Sequence, residues 1–143
     1  MYTDFLKEIA SFMEAVDIKT DEMMSKHTSF RVGGPARFFL TVHSEEILRN
    51  ILLALKRYKL SYFVLGNGSN LLVSDEGYDG VMIYLGEEFS HVEISGTQIR
   101  AKAAALLGKV ARMAMEEELA YANPQRTARL TSKIVRLKST VFD

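Results

Sequence analysis

Five small residues set between two apolar runs hold the chemistry this sequence offers. Tyr62, Phe63, Val64 and Leu65 lead into Gly66-Asn67-Gly68-Ser69-Asn70, and Leu71, Leu72 and Val73 follow. Glycine permits positive φ and keeps side chains out of a ligand's way. Successive backbone N–H groups in such a turn converge into an anion-binding nest. Asn67, Ser69 and Asn70 add short polar groups. The chemistry implied is a phosphate cradle made of backbone, with no lysine. It is not a Walker loop, because no Gly-Lys-Ser/Thr closes it. It is not a dinucleotide fingerprint either, because no third glycine opens a helix. The competing reading is a plain turn joining two strands, for which these residue types are equally suited.

Other polar residues offer less. His43 and His91 have no second His or carboxylate at ligand spacing, and Cys is absent, so no metal site is expected. His27 is expected to be an exposed or capping residue. Ser69 lacks a nucleophile elbow and a partner base, so bonding to phosphate or backbone suits it better than catalysis. Glu116, Glu117 and Glu118 fit a solvated helix end. The seven methionines suit core filling.

The elements that must position the loop can be read from periodicity. Phe5, Leu6, Ile9, Phe12, Met13 and Val16 predict a helix over 3–16. Residues 17–26 are polar and irregular. Between 27 and 42 the alternation of Phe30, Val32, Phe38, Leu40 and Val42 about Gly33-Gly34-Pro35 predicts two short strands, or one bent at the glycines. Ser44 caps a helix over 44–58, with Glu45 and Glu46 in its positive first turn and Lys56, Arg57 and Lys59 at its other end. A strand over 61–65 follows and delivers the loop. The order strand, helix, strand predicts locally parallel sheet. After a turn at 77–80 come a buried strand at 81–84, a hairpin over 92–101 about Ser95-Gly96-Thr97, and a helix over 104–119. Asn123-Pro124 starts a last helix, with a strand at 134–137 as the competing assignment.

Composition bounds the class. The chain has 143 residues, 48% hydrophobic and 25% charged, enough for one domain with a real core. No apolar run is long enough to span a bilayer, and no basic region precedes an apolar core at the N-terminus. A cytoplasmic location is the default expectation. Net charge is zero, yet residues 121–143 carry +4 and residues 1–120 carry −4. The basic stripe of Arg126, Arg129, Lys133 and Arg136 lacks interleaved aromatics, so neither nucleic acid nor membrane is expected as a partner.

His27-Thr28-Ser29-Phe30-Arg31-Val32-Gly33-Gly34-Pro35-Ala36, then the helix, then Leu65-Gly66-Asn67-Gly68-Ser69-Asn70-Leu71-Leu72, resembles the UDP-N-acetylenolpyruvoylglucosamine reductase family. Gly80-Val81-Met82-Ile83, the hairpin and the Ala-rich stretch 103–111 continue the likeness, which covers residues 20–120. The resemblance implies an α+β fold, with a small parallel α/β subdomain and part of an antiparallel one. This is part of an FAD-binding fold of the vanillyl-alcohol-oxidase/PCMH type. It implies that Leu65, Gly66, Asn67, Gly68, Ser69 and Asn70 wrap the FAD pyrophosphate with backbone amides, and that Gly33 and Gly34 serve tight packing. It also implies FAD as cofactor, NADPH as hydride donor and UDP-N-acetylmuramate, a peptidoglycan precursor, as product.

From Ala120 onward the chain departs from the family. Tyr121-Ala122-Asn123-Pro124-Gln125 stands where the family has a Gly-rich segment, and no residue of 121–143 matches the family's catalytic arginine, serine or glutamate. The expectation is therefore residues 1–120 as a partial FAD-binding domain and residues 121–143 as a divergent basic tail. Such a chain carries no catalytic residues and is inactive alone. The alternative is a non-catalytic binding or interaction module, which associates with itself or with a complementing chain to cover apolar surface.

Overall fold

The computed structural model describes residues 1–66, 68, 71–96 and 98–116. Contacts divide the chain into two units, Met1–Gly86 and Glu87–Asp143. The first unit contains helix α1 (Tyr2–Ala10), strand β1 (Ile18–Met23), strand β2 (Pro35–Val42), helix α2 (Glu45–Tyr58), strand β3 (Tyr62–Leu65) and strand β4 (Tyr78–Leu85). Its sheet runs in the order β1-β2-β4-β3. β1 lies antiparallel to β2, while β2, β4 and β3 are mutually parallel. The parallel βαβ expectation therefore holds, with β4 inserted between the two strands that α2 connects.

α2 forms as its sequence dictates. The Ser44 hydroxyl accepts from the Ile47 N–H at 3.2 Å, and Lys59 closes the other end in the left-handed region. Removing that cap by Ser44→Ala is expected to cost about 1 kcal/mol, measured as a lower midpoint in urea unfolding. Ile51, Ala54 and Leu55 are buried along one stripe, as are Phe5 and Ile9 of α1. Phe5 meets Phe38 of β2 at 5.9 Å and Tyr58 of α2 at 6.2 Å, both edge to face. The two helices thus cover one face of the sheet, where Phe38, Leu40, Val42, Val81, Ile83 and Leu85 are buried.

Among the described residues of the first unit, no α-helix covers the opposite face. Met24, Ala36, Phe39, Leu65, Val73 and Met82 form its core, with Leu71, Tyr78 and Tyr84 packed around them. Met24 and Val73 come from connections rather than from strands, so two connections roof this face. One is residues 24–34, leading from β1 into β2. The other leads from β3 to β4 and is described at 66, 68 and 71–77. β3 and β4 are adjacent and parallel, so the second loop must return the length of a strand. The described residues of that connection form no helix.

Several sequence expectations need correction. The first helix stops at Ala10 rather than 16. The Ser11 hydroxyl donates to the Glu8 carbonyl at 2.6 Å, and the next N–H groups turn back to Ile9, closing the helix. Val16 is accordingly exposed. The polar stretch after it is not irregular throughout but contains β1, an edge strand whose Lys19 and Asp21 face water. Its alternation is hidden because Asp21, at φ 51, interrupts the ladder. Only one strand forms between 27 and 42, starting at Pro35, and Phe30 and Val32 are exposed on the loop. β4 starts at Tyr78, inside the expected turn.

In the second unit β5 (Val92–Ser95) and β6 (Gln98–Ala101) form the expected antiparallel hairpin, with Gly96 at φ +57 in its turn. Helix α3 spans Leu107–Glu116, starting later than expected. Val110 and Ala114 are buried, but Leu106 and Leu107 are exposed, so the apolar stripe is narrower than the sequence suggests. Val110 packs with Val92 and Ala105. The expected segments beyond 116, including the last helix, lie outside the described residues.

Candidate functional site

The glycine loop leaves the C-terminal end of β3, where ligands bind in open parallel sheets. Leu65, the last strand residue, is buried and anchors the loop's first end in the core. Gly66 follows at the surface of the sheet end. A Cβ built on Gly66 meets no other described heavy atom within 4 Å. Its backbone is also outside the left-handed region. Among the described residues nothing therefore demands glycine there, and the missing side chain leaves space at the end of β3.

Gly68 is the opposite case. It is buried, its φ is +71, and a Cβ there would lie 2.1 Å from the His27 carbonyl oxygen. Its own carbonyl accepts from the Ser29 N–H at 3.2 Å. The loop is thus pinned backbone to backbone on the segment 27–34. A second pin lies further on, where the Gly34 N–H donates to the Ser74 carbonyl at 2.8 Å. A Cβ on Gly34 would lie 2.2 Å from the Asp75 carbonyl oxygen, and one on Gly33 would lie 2.9 Å from the Val73 Cβ. Gly33 and Gly34 serve close packing, as the family likeness implied. Of the expected site residues, Leu65, Gly66 and Gly68 are brought together at one loop, and Asn67, Ser69 and Asn70 lie outside the described residues.

The segment that receives Gly68 is itself locked. The Thr28 hydroxyl, almost fully buried, donates to the Val32 carbonyl at 3.1 Å. The Arg31 N–H returns to the Thr28 carbonyl, which leaves Arg31 at φ 53. His27 is neither exposed nor simply a cap. Its ring stacks on Phe39 at 4.0 Å, and its Nε2 bonds to Glu22 Oε1 at 3.0 Å. The signal for this pairing was present as a carboxylate five residues upstream, but polar spacing in an unassigned strand could not orient it.

The His27 bond, aided by Lys19 and Lys26 and opposed by desolvation, holds the Glu22 carboxyl below its ordinary value. A depressed carboxylate pKa contributes stability that is complete above the unfolded value. It is lost as pH falls through the folded one. The protein is therefore expected to weaken as pH drops below about 4.5. Glu22→Gln should flatten that acid limb and cost about 1 kcal/mol at neutral pH, read from urea midpoints across pH. An unchanged acid limb in Glu22→Gln would show that another carboxylate sets it.

The remaining histidines pair with carboxylates. His43 Nε2 meets Asp17 Oδ1 at 3.1 Å, and His91 lies 3.8 Å from Glu93. No cluster of three ligating side chains occurs among the described residues. Among the same residues no helix is long and apolar enough to cross a membrane.

Among the described residues the loop is pinned at Gly68 and open at Gly66. A glycine with open space at the C-terminal end of a strand fits the approach of an anion such as the pyrophosphate of FAD.

Comparison with known proteins identifies the family. A model of the FAD binding domain family matches residues 36–131. The chain is 40% identical over 116 residues to a UDP-N-acetylenolpyruvoylglucosamine reductase of Clostridioides difficile, covering 81% of this chain and 38% of the enzyme. Among solved structures it is similar to the UDP-N-acetylenolpyruvylglucosamine reductase (MurB) of Thermus caldophilus. That match has a TM-score of 0.53 and 32% identity over 70% of this chain and 34% of the other. An alkyldihydroxyacetonephosphate synthase, at 16% identity and TM-score 0.57, shares the fold alone. The chain spans about two fifths of the curated reductases it matches. Its parallel βαβ unit and antiparallel hairpin are those of a partial FAD-binding fold of the vanillyl-alcohol-oxidase/PCMH type, and the chain belongs to the FAD-binding-domain family.

Proposed function

We propose that this chain is the flavin-cradling part of a UDP-N-acetylenolpyruvoylglucosamine reductase. In this reading the backbone of Leu65, Gly66, Asn67, Gly68, Ser69 and Asn70 receives the FAD pyrophosphate. The observation that carries it is the open face of Gly66 beside the tightly pinned Gly68. Bound there, FAD would supply the hydride chemistry for an NADPH-dependent reduction of an enolpyruvyl group to UDP-N-acetylmuramate, for peptidoglycan in the cytoplasm. This chain's own contribution is binding and orientation. Gly68 fixes the loop's height above the sheet through the His27 carbonyl, and Leu65 fixes its start. No residue of this chain is assigned a proton or hydride, so it is inactive alone. The groups that protonate the product and stabilise its enolate belong to a complementing chain or to sequence outside these 143 residues.

The test is titration of the purified protein with FAD, followed by flavin fluorescence and visible absorption. Saturable binding that shifts the flavin bands supports the reading. Absence of binding up to millimolar FAD overturns the cofactor assignment for this chain.

A further inference from the structure

The sheet has two edges, and they are built differently. β1, at one edge, carries Lys19, Asp21 and Glu22, and the left-handed Asp21 breaks its ladder. Charges and irregularity of this kind keep a strand from pairing with foreign chains. β3, at the other edge, is Tyr62-Phe63-Val64-Leu65, with no charge, no proline and an unbroken register against β4. Tyr62 and Phe63 are about half exposed. The Val81 N–H donates to the Ser61 carbonyl, and Tyr62 is the register partner of Val81. Parallel pairing then turns the backbone groups of Ser61, Phe63 and Leu65 toward β4, and those of Tyr62 and Val64 outward.

Beside this edge, which has no outer strand partner among the described residues, lies a groove of about 600 Å³ on the helix-covered face. Leu48, Leu52, Leu60 and Tyr62 give it an apolar floor. Arg49, Lys56 and Lys59 stand along it against a single acidic residue, Glu45. The three cations have no ion-pair partner among the described residues.

We propose that the β3 edge and this groove receive an extended acidic segment of another polypeptide, added as a further strand. Backbone groups of Tyr62 and Val64 supply the ladder bonds. Apolar side chains and carboxylates on the groove-facing side of the added strand fill its floor and meet Arg49, Lys56 and Lys59. Strand addition of this kind takes affinity from main-chain bonds and selectivity from flanking pockets. The charge selects against a second copy of this chain, because pairing β3 with β3 about a two-fold axis sets two identical cation groups side by side. The site is independent of the flavin.

The experiment is a fluorescence-anisotropy titration with a short labelled peptide in which every second residue is alternately Val and Glu and the residues between are Thr, so that Val and Glu share one face. A matching peptide carries Lys for Glu, and a third is N-methylated at alternate backbone nitrogens. Saturable binding of the acidic peptide alone is expected, about tenfold weaker in high salt and similarly weaker in the Arg49→Glu, Lys56→Glu double variant. N-methylation should abolish it, as should Val64→Pro, which places proline where the N–H faces outward. Because the methylated peptide probes the ladder on the native protein, the outcome stands even if Val64→Pro fails to fold. No binding, equal binding of the Lys peptide, or binding indifferent to N-methylation overturns the proposal. So does a native dimer that excludes the peptide.

Discussion

Gly68→Val is expected to unfold the protein or bring it close to unfolding. The substitution places Cβ 2.1 Å from the His27 carbonyl oxygen, and that neighbour is backbone. The His27 segment has little room to retreat, because the His27 ring is stacked on Phe39 and Thr28 is tied to Val32. A β-branched residue at φ +71 adds conformational strain. Strain of this kind costs roughly 1–3 kcal/mol before the clash is counted. A typical domain is stable by only about 5–15 kcal/mol. Gly68→Ala is the milder probe and is expected to cost about 2–4 kcal/mol. Urea unfolding followed by circular dichroism reads both. A native-like midpoint for Gly68→Ala would mean that the two loops are not pinned through this contact.

Gly66→Val is expected to do the reverse, leaving the fold intact and removing the flavin. No other described heavy atom lies within 4 Å of its Cβ position, and its backbone lies outside the left-handed region. The unfolding midpoint should therefore stay within about 0.5 kcal/mol of the native value. The added isopropyl group occupies the gap through which the pyrophosphate must approach. FAD affinity should fall at least tenfold, and about tenfold corresponds to 1.4 kcal/mol of binding energy. The pair of substitutions separates two roles within one motif. If Gly66→Val binds FAD as well as the native chain, the loop is not the cradle. If it unfolds, the open face assigned to Gly66 is filled by the protein itself.

Much of this architecture could be read from residues. α2 was legible because its cap, its dipole-matched ends and its apolar stripe agree. β3 and its loop were legible because an apolar run meets a glycine cluster, and the hairpin because Ser95-Gly96-Thr97 splits two alternating runs. β1 was not legible, since an edge strand facing water carries the same polar residues as a loop, and Asp21 breaks its period. Phe12, Met13 and Val16 continued the helical spacing past Ala10, but a hydrogen bond from Ser11 ended the helix, which periodicity does not register. At the site, the need for glycine at 68 and its lack at 66 could not be separated by sequence. Both read as Gly in the same octet, and only the carbonyl of His27, distant in sequence, distinguishes them.

The insertion of β4 between β2 and β3 governs how the chain can assemble. α2 brings β2 and β3 into proximity early in the sequence, yet neither finds its parallel partner until Tyr78–Leu85 has been added. A nascent chain ending before residue 78 therefore has a two-stranded antiparallel ribbon on one side and a solitary strand on the other, with a strand-wide gap between them. Closing that gap is a nonlocal step that sets the loops and the sheet in place together. The order of synthesis thus places the glycine loop outside any finished structure until the strand that follows it arrives. A ribosome-bound chain stalled before β4 should have no cradle, whatever the intrinsic geometry of its glycines.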